Sequence, residues 1–274
     1  MLERFKYQNH LNEVFDFGKN GVFVDSNDLH DFEWTVTTKN EKIAAMKRTV
    51  SKRKLPIKIV CNSEEEGTVA RNRLYEVAEK DVLALQHGRI IIGDYYFKCF
   101  VTKSQKKEYL TTKRMMEVTL TLTTDFPYWV KETRTVFSVD GATATTGGID
   151  HPYDYPYDYY SNLLNQPVQN TGFVATNFRL VVYGPCSDPA ISIAGHTYKV
   201  NCTVGVNEHL TIDSTTKKIY ITGNAGEVTN VFHLRDRESY IFEKIPVGSH
   251  TVAWNGAFGF DVVLMEERSE PKWI

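Results

Sequence analysis

The stretch that decides the fold is Arg89-Ile90-Ile91-Ile92-Gly93-Asp94-Tyr95-Tyr96-Phe97-Lys98-Cys99-Phe100-Val101. β-Branched and aromatic residues run up to Gly93-Asp94 and resume after it, which reads as two strands joined by a two-residue turn. Immediately before it, Ser63-Glu64-Glu65-Glu66 is a capping box. The serine caps the helix, the glutamate stands three residues on, and the carboxylates favour the helix N-terminus. Ala70, Leu74, Val77, Ala78, Val82 and Leu85 then recur at three- and four-residue spacing, with Gly88 expected as the stop. A helix with one apolar face needs a sheet to bury it. After the hairpin, Met116 to Thr123 alternates strictly, Val118, Leu120 and Leu122 against Thr119, Thr121 and Thr123. That pattern predicts a half-buried antiparallel strand. Pro127 ends it.

Upstream, Val22–Val24, Phe32–Val36 and Ile57–Val60 carry strand composition, so residues 1–130 form a mostly β domain with one amphipathic helix. Between the last two lies Lys47 to Lys58, six Lys or Arg in twelve residues. It reads either as a solvated loop or as a docking surface for an acidic partner or a neighbouring subunit. Its candidate contacts are Lys47, Arg48, Lys52, Arg53 and Lys54.

Downstream the character changes. Residues 131–168 read as a linker, with small polar residues and then His151-Pro-Tyr-Asp-Tyr-Pro-Tyr-Asp-Tyr-Tyr160. Tyr153, Tyr155 and Tyr157 suggest a linker that lies on something, because each brings apolar area and a hydroxyl. The other reading is an aromatic platform for sugars. From 169 to 274 no helical period remains. Short strands are expected at Phe178–Tyr183, Ala190–Ile193, Thr197–Val200, His209–Ile212, Lys218–Thr222, Ser239–Lys244, Thr251–Trp254 and Phe258–Met265. Turn residues separate them, as in an antiparallel sandwich.

Composition bounds the function. The 274 residues hold 32 basic and 34 acidic side chains, a net charge of −2, which excludes a bulk polycation for nucleic acid. Residues 1–130 hold 21 of the basic and 18 of the acidic groups, so the two halves differ in sign. The N-terminus is charged where a signal peptide needs an apolar stretch, and no run approaches the roughly 20 residues that span a bilayer. A soluble protein, not exported by a signal peptide and without membrane contact, is expected. Cys61, Cys99, Cys186 and Cys202 are widely spaced and read as thiols, with Cys186 and Cys202 the one pair worth checking.

No phosphate loop, dinucleotide turn, nucleophile elbow or zinc helix is present, and the eight histidines show no ligand spacing. Catalytic, metal and cofactor sites are therefore all expected to be absent. A glycosidase needs only two carboxylates and leaves no signature, so its candidates here are Asp213, Glu227, Asp236 and Glu243.

The chain resembles the distal tail protein (Dit) of long-tailed, non-contractile phages. The resemblance is carried in order by the helix, by Ile90 to Val101 and by Glu117 to Trp129. It continues through Asn170-Thr171-Gly172, Tyr183-Gly184, Pro189-Ala190-Ile191, Leu210 to Asp213 and Lys217-Lys218-Ile219. It closes with Ile245-Pro246-Val247-Gly248 and Glu267 to Trp273. The resemblance implies an N-terminal β-barrel-like domain related to tail-tube proteins and a C-terminal galectin-like sandwich. It also implies a hexameric ring of this chain joining the tail tube to the baseplate at the virion tail tip, assembled in the host cytoplasm. DNA would pass through the channel without specific binding. The partners implied are the tail tube protein, a tail-associated lysin or hub protein, and receptor-binding proteins. Two departures stand out. The sugar-binding stretch of galectins is not matched by His196-Thr197-Tyr198-Lys199-Val200-Asn201, and the sandwich has no room for the carbohydrate-binding insertions of larger members. The alternative function is a carbohydrate-binding module for cell-wall polysaccharide, with Trp254 as the stacking residue.

Overall fold

The computed structural model describes residues 4–19, 21–109, 114–139 and 167–273. The fold is mainly β: strand accounts for 51% of the described residues and helix for 10%. Neighbouring strands of its sheets run antiparallel. The chain forms two compact units, residues 1–131 with 267–274, and residues 132–266. These bounds differ from the sequence reading at both ends of the second domain. Residues 132–137 lie in the strand Trp129–Phe137 rather than in a linker, and the last eight residues join the first unit.

In the first unit, Gly88–Ile92 pairs with Tyr95–Tyr109 through a turn whose Gly93 takes φ 54°. The left-handed conformation there is what a tight hairpin demands. Gly88–Ile92 also pairs with Phe5–Gln8, which pairs with Val14–Phe17. The long strand serves two sheets. Beyond Cys99 it leaves Gly88–Ile92 and pairs with Met115–Thr124, which pairs with Ser51–Val60, and that with Val22–Val24. Its register shifts at Val101/Lys103 and Lys106/Glu108. Such irregularities bend a strand and let it turn a corner between sheets. The core lies inside these sheets and includes Leu55, Ile57, Ile59, Ile90, Phe97, Leu120, Leu122 and Trp129.

The helix runs Glu64–Ala84. The Ser63 hydroxyl accepts from Glu66 N at 3.1 Å, while the Glu66 carboxylate accepts from Asn62 N at 3.1 Å. Gly67, Ala70, Leu74, Val77, Ala78 and Asp81 form its buried face. Gly88 is not the stop. Leu85 ends the helix at φ 51°, ψ 36°, and its N–H donates to helix carbonyls. Gly88 instead opens the next strand, where a Cβ would meet Asp81 Oδ2 at 2.2 Å and the Tyr7 hydroxyl at 2.3 Å.

The second unit is a sandwich. Asn177–Tyr183 pairs with Phe260–Arg268 on one side and His209–Asp213 on the other, and Lys218–Thr222 and Val228–Asn230 continue the sheet. Facing it, Ala190–Ile193 pairs with His196–Lys199 and Val252–Ala253. Phe178, Leu180, Ile191, Ile193, Tyr198, Leu210 and Phe260 share one core between them. The strand expected at Ser239–Lys244 is absent. Ile241 and Phe242 are both buried, and Glu243 N donates to Tyr240 O as in a turn. Two consecutive buried side chains cannot both lie on one face of a strand.

Candidate assembly surface

The basic stretch is not a loop. From residue 51 to 58 it is part of the ten-residue strand Ser51–Val60, in register with Met115–Thr124. Alternation then sorts its charges. Leu55, Ile57 and Ile59 point into the core, so Lys52, Lys54 and Lys58 point away, opposite Thr123, Thr121 and Glu117. Lys58 is neutralised by Asp25 at 2.7 Å and Glu117 at 3.7 Å, and the Asp25 hydrogen bond holds its pKa up. Lys52 and Lys54 are exposed, and Arg53 is half-buried on the core side.

Arg48 behaves differently from its neighbours. Its guanidinium lies over the Tyr128 ring at 4.8 Å and near the Trp34 ring at 5.7 Å. Nε and Nη1 are buried without a hydrogen-bond partner among the described residues, and burial pulls the pKa down. Each cation–π contact is worth about 0.5–2 kcal/mol, more where water is excluded. Of the five predicted cationic contacts, Arg48 is therefore a packed residue, while Lys47, Lys52 and Lys54 face solvent. Tyr153, Tyr155 and Tyr157 lie outside the described residues.

Arg48 closes the base of a ribbon that the sequence does not announce. Thr35–Lys39 pairs with Lys42–Lys47 and with no other described strand. Asn40 (φ 50°) and Glu41 (φ 61°) form the tip, both left-handed as in a type I′ turn. Val36 stands opposite Met46, and Trp34 and Arg48 continue that face. Val36 is 47% exposed, Met46 53% and Ile43 61%.

A second cluster is internal. Asp81 is fully buried on the helix, and its Oδ2 accepts from the Tyr7 hydroxyl at 2.5 Å. Its Oδ1 accepts from His10 N at 2.8 Å and faces His10 Nδ1 at 2.6 Å. Burial above all raises the Tyr7 phenol far beyond its usual range, keeping it a donor. Nearby, Glu13 accepts from Lys80 at 2.8 Å, and Asn9 Nδ2 donates to Val77 O at 3.3 Å. Both carboxylate oxygens of Asp81 are thus occupied, and the cluster ties the first hairpin to the helix. Sequence reasoning does not single out Asp81, although it falls in phase with Leu74, Val77 and Ala78.

In the second unit, Trp254 donates through Nε1 to Phe258 O at 3.1 Å and meets Phe137 and Phe260 edge-to-face at 5.5 and 5.2 Å. This half-buried ring packs against the core. His196 Nε2 lies 2.9 Å from Tyr240 O. Three of the four carboxylates considered for hydrolysis brace turns: Asp213 accepts from Thr215 N, Glu227 from Ala225 N and Asp236 from Glu238 N. Cys186 and Cys202 are free, and burial pushes Cys202 up to about 11. No group of metal-ligating side chains occurs among the described residues, and no described helix is long and apolar enough to cross a membrane. An open cavity in the first unit is lined by Asn27, His30, Asp31, Phe32, Glu270 and Trp273. There His30 stacks on Trp273 at 4.1 Å, and Trp273 donates to Glu270 at 2.6 Å, holding the C-terminal segment.

Neither a family model nor a curated protein matches the sequence. Solved structures do match, among them chains of a phage baseplate and a protein of an adsorption hub. A chain of the phage P2 baseplate in its activated conformation with Ca superposes with a TM-score of 0.66 at 14% identity, covering 99% of this chain and 100% of that one. The same baseplate with Sr gives 0.65 at 13% identity over 99% and 100%. The SPP1 Dit protein, described as a paradigm of hub adsorption apparatus in Gram-positive infecting phages, gives 0.58 at 10% identity over 96% and 99%. The fold of this chain is therefore a Dit-like baseplate fold along its whole length.

Proposed function

We propose that the chain is a structural, non-enzymatic phage tail protein that forms a hexameric ring joining the tail tube to the baseplate. The carrying observation is the end-to-end match, 99% of this chain against 100% of a P2 baseplate chain, which includes both units and not one shared module. On this reading the chain contacts copies of itself, the tail tube protein, a lysin or hub protein and receptor-binding proteins. It sits at the virion tail tip after assembly in the host cytoplasm, and it holds no cofactor.

The mechanism is geometric. A heterologous contact that repeats with a closing rotation makes a ring and leaves a central hole. That hole continues the tube for DNA. A lumen lined with lysines would hold phosphates through counterion release, so Lys47, Lys52 and Lys54 belong on a subunit contact or on the exterior. Domain roles follow: the unit of residues 1–131 with 267–274 closes the ring, and the unit of residues 132–266 carries peripheral parts. The sugar-binding alternative needs an open aromatic face. Trp254, with its N–H used and two rings against it, argues for packing instead.

Negative-stain electron microscopy of the purified chain at high concentration tests the proposal. Six-fold rings with an open bore are expected. Particles without rings would contradict it and bring polysaccharide binding, with a Trp254→Ala control, to the front.

A further inference from the structure

The ribbon Thr35–Lys47 raises a specific physical problem. An isolated two-stranded hairpin is marginal in water, and this one turns an apolar face, Val36, Ile43 and Met46, outward. Among the described residues no third strand joins its sheet. Its other face and tip are basic, with Thr35 opposite Lys47 and Lys39 opposite Lys42. Strands lie about 5 Å apart, so lysines on the back of so narrow a ribbon reach round to a partner's rim.

A surface of matching character exists on the same unit. The outward stripe of the helix reads Glu65, Val69, Asn72, Glu76 and Leu83, at helical spacing. Val69 is 67% exposed and Leu83 77%, and Tyr75 beside them is 64% exposed. Glu65 and Glu76 are exposed as well. The stripe is apolar and acidic where the ribbon is apolar and basic. Within one copy neither covers the other, since both stay open to solvent.

We infer that the ribbon of one copy docks on the outward helix stripe of the next copy, lysines to glutamates around an apolar centre. The inference rests on the ring reading and gives it an interface. Two different patches on one chain make a heterologous contact, the kind that closes into a ring rather than stopping at a pair. Opposed charges set the register and speed the encounter, while the apolar centre supplies the hold.

Charge reversal with complementation tests this on the full chain. One variant carries Lys39→Glu and Lys42→Glu, the other Glu65→Lys and Glu76→Lys, and sedimentation velocity at about 0.1 M salt leaves charges within roughly 10 Å coupled. Each variant alone should need at least tenfold more protein to assemble than wild type. An equimolar mixture should return to the wild-type concentration, because ribbon and helix then alternate in matching charge. Recovery on mixing also shows that both variants are folded. Wild-type rings with variants that assemble equally well would overturn this contact and leave the ring reading standing. Variants that lose assembly and are not rescued by mixing would also overturn it. A wild-type chain that stays monomeric would remove the contact and the self-closing ring together.

Discussion

Two hairpins of the first unit share a construction and differ in what covers them. Gly88–Ile92 with Tyr95–Tyr109 and Thr35–Lys39 with Lys42–Lys47 are both antiparallel pairs with left-handed turn residues. In the first, Ile90, Ile92, Phe97 and Cys99 are at most 2% exposed, under the helix and the neighbouring strands. In the second, Val36, Ile43 and Met46 are about half exposed or more. Burying one such side chain is worth roughly 1.5–3 kcal/mol, so the first hairpin is held by its own fold and the second gains that energy only from a partner. On the proposed ring, the difference separates surface that makes the subunit from surface that joins subunits.

Substitutions probe this contrast. Phe97→Ala removes a ring packed on Trp129 at 5.3 Å and should cost about 3–5 kcal/mol in urea unfolding, with the midpoint falling at unchanged slope. A loss below about 1 kcal/mol would mean that the covered hairpin is not part of the folding core. Gly88→Ala pushes a methyl into Asp81 and Tyr7 and should cost about 1–3 kcal/mol. Unchanged stability there would show that the Tyr7–Asp81–His10 cluster has room to relax. Ser63→Ala strips the cap from the covering helix and should cost about 1 kcal/mol, with the amides at the start of the helix exchanging faster. Ile43→Ser on the ribbon should lie within about 0.5 kcal/mol of wild type in a monomer melt. The same change should weaken assembly at least as much as a charge reversal does. Equal losses for Phe97→Ala and Ile43→Ser in the melt would erase the distinction.

The covered hairpin is legible in the sequence because every local cue agrees: β-branched and aromatic runs, a Gly turn, a helix with a capping box before it. The ribbon is hidden because its cues conflict. Lys42-Ile43-Ala44-Ala45-Met46-Lys47 is rich in poor strand formers, and its tip Asn40-Glu41 has no glycine. Gly88 has the look of a helix stop, but it is required for a close approach to Asp81 while Leu85 takes the left-handed position. Asp81 is invisible for another reason: a polar residue in an apolar phase declares itself only when its partners, Tyr7 and His10, are brought to it by the fold. The basic stretch is plain in the sequence, but its division is not. Lys47 and Arg48 are chain neighbours, yet one faces solvent and the other lies between Trp34 and Tyr128. The likeness to tail-tip proteins is readable from the order of many short motifs, and the end-to-end structural match agrees with it.

Native mass spectrometry of the full chain across a concentration series decides whether the proposed ring forms, since a ring has a fixed stoichiometry. A species six times the 31.4 kDa chain mass should grow at the expense of the monomer with no dimer plateau. A mass that stays at one or two chains at every concentration would contradict it.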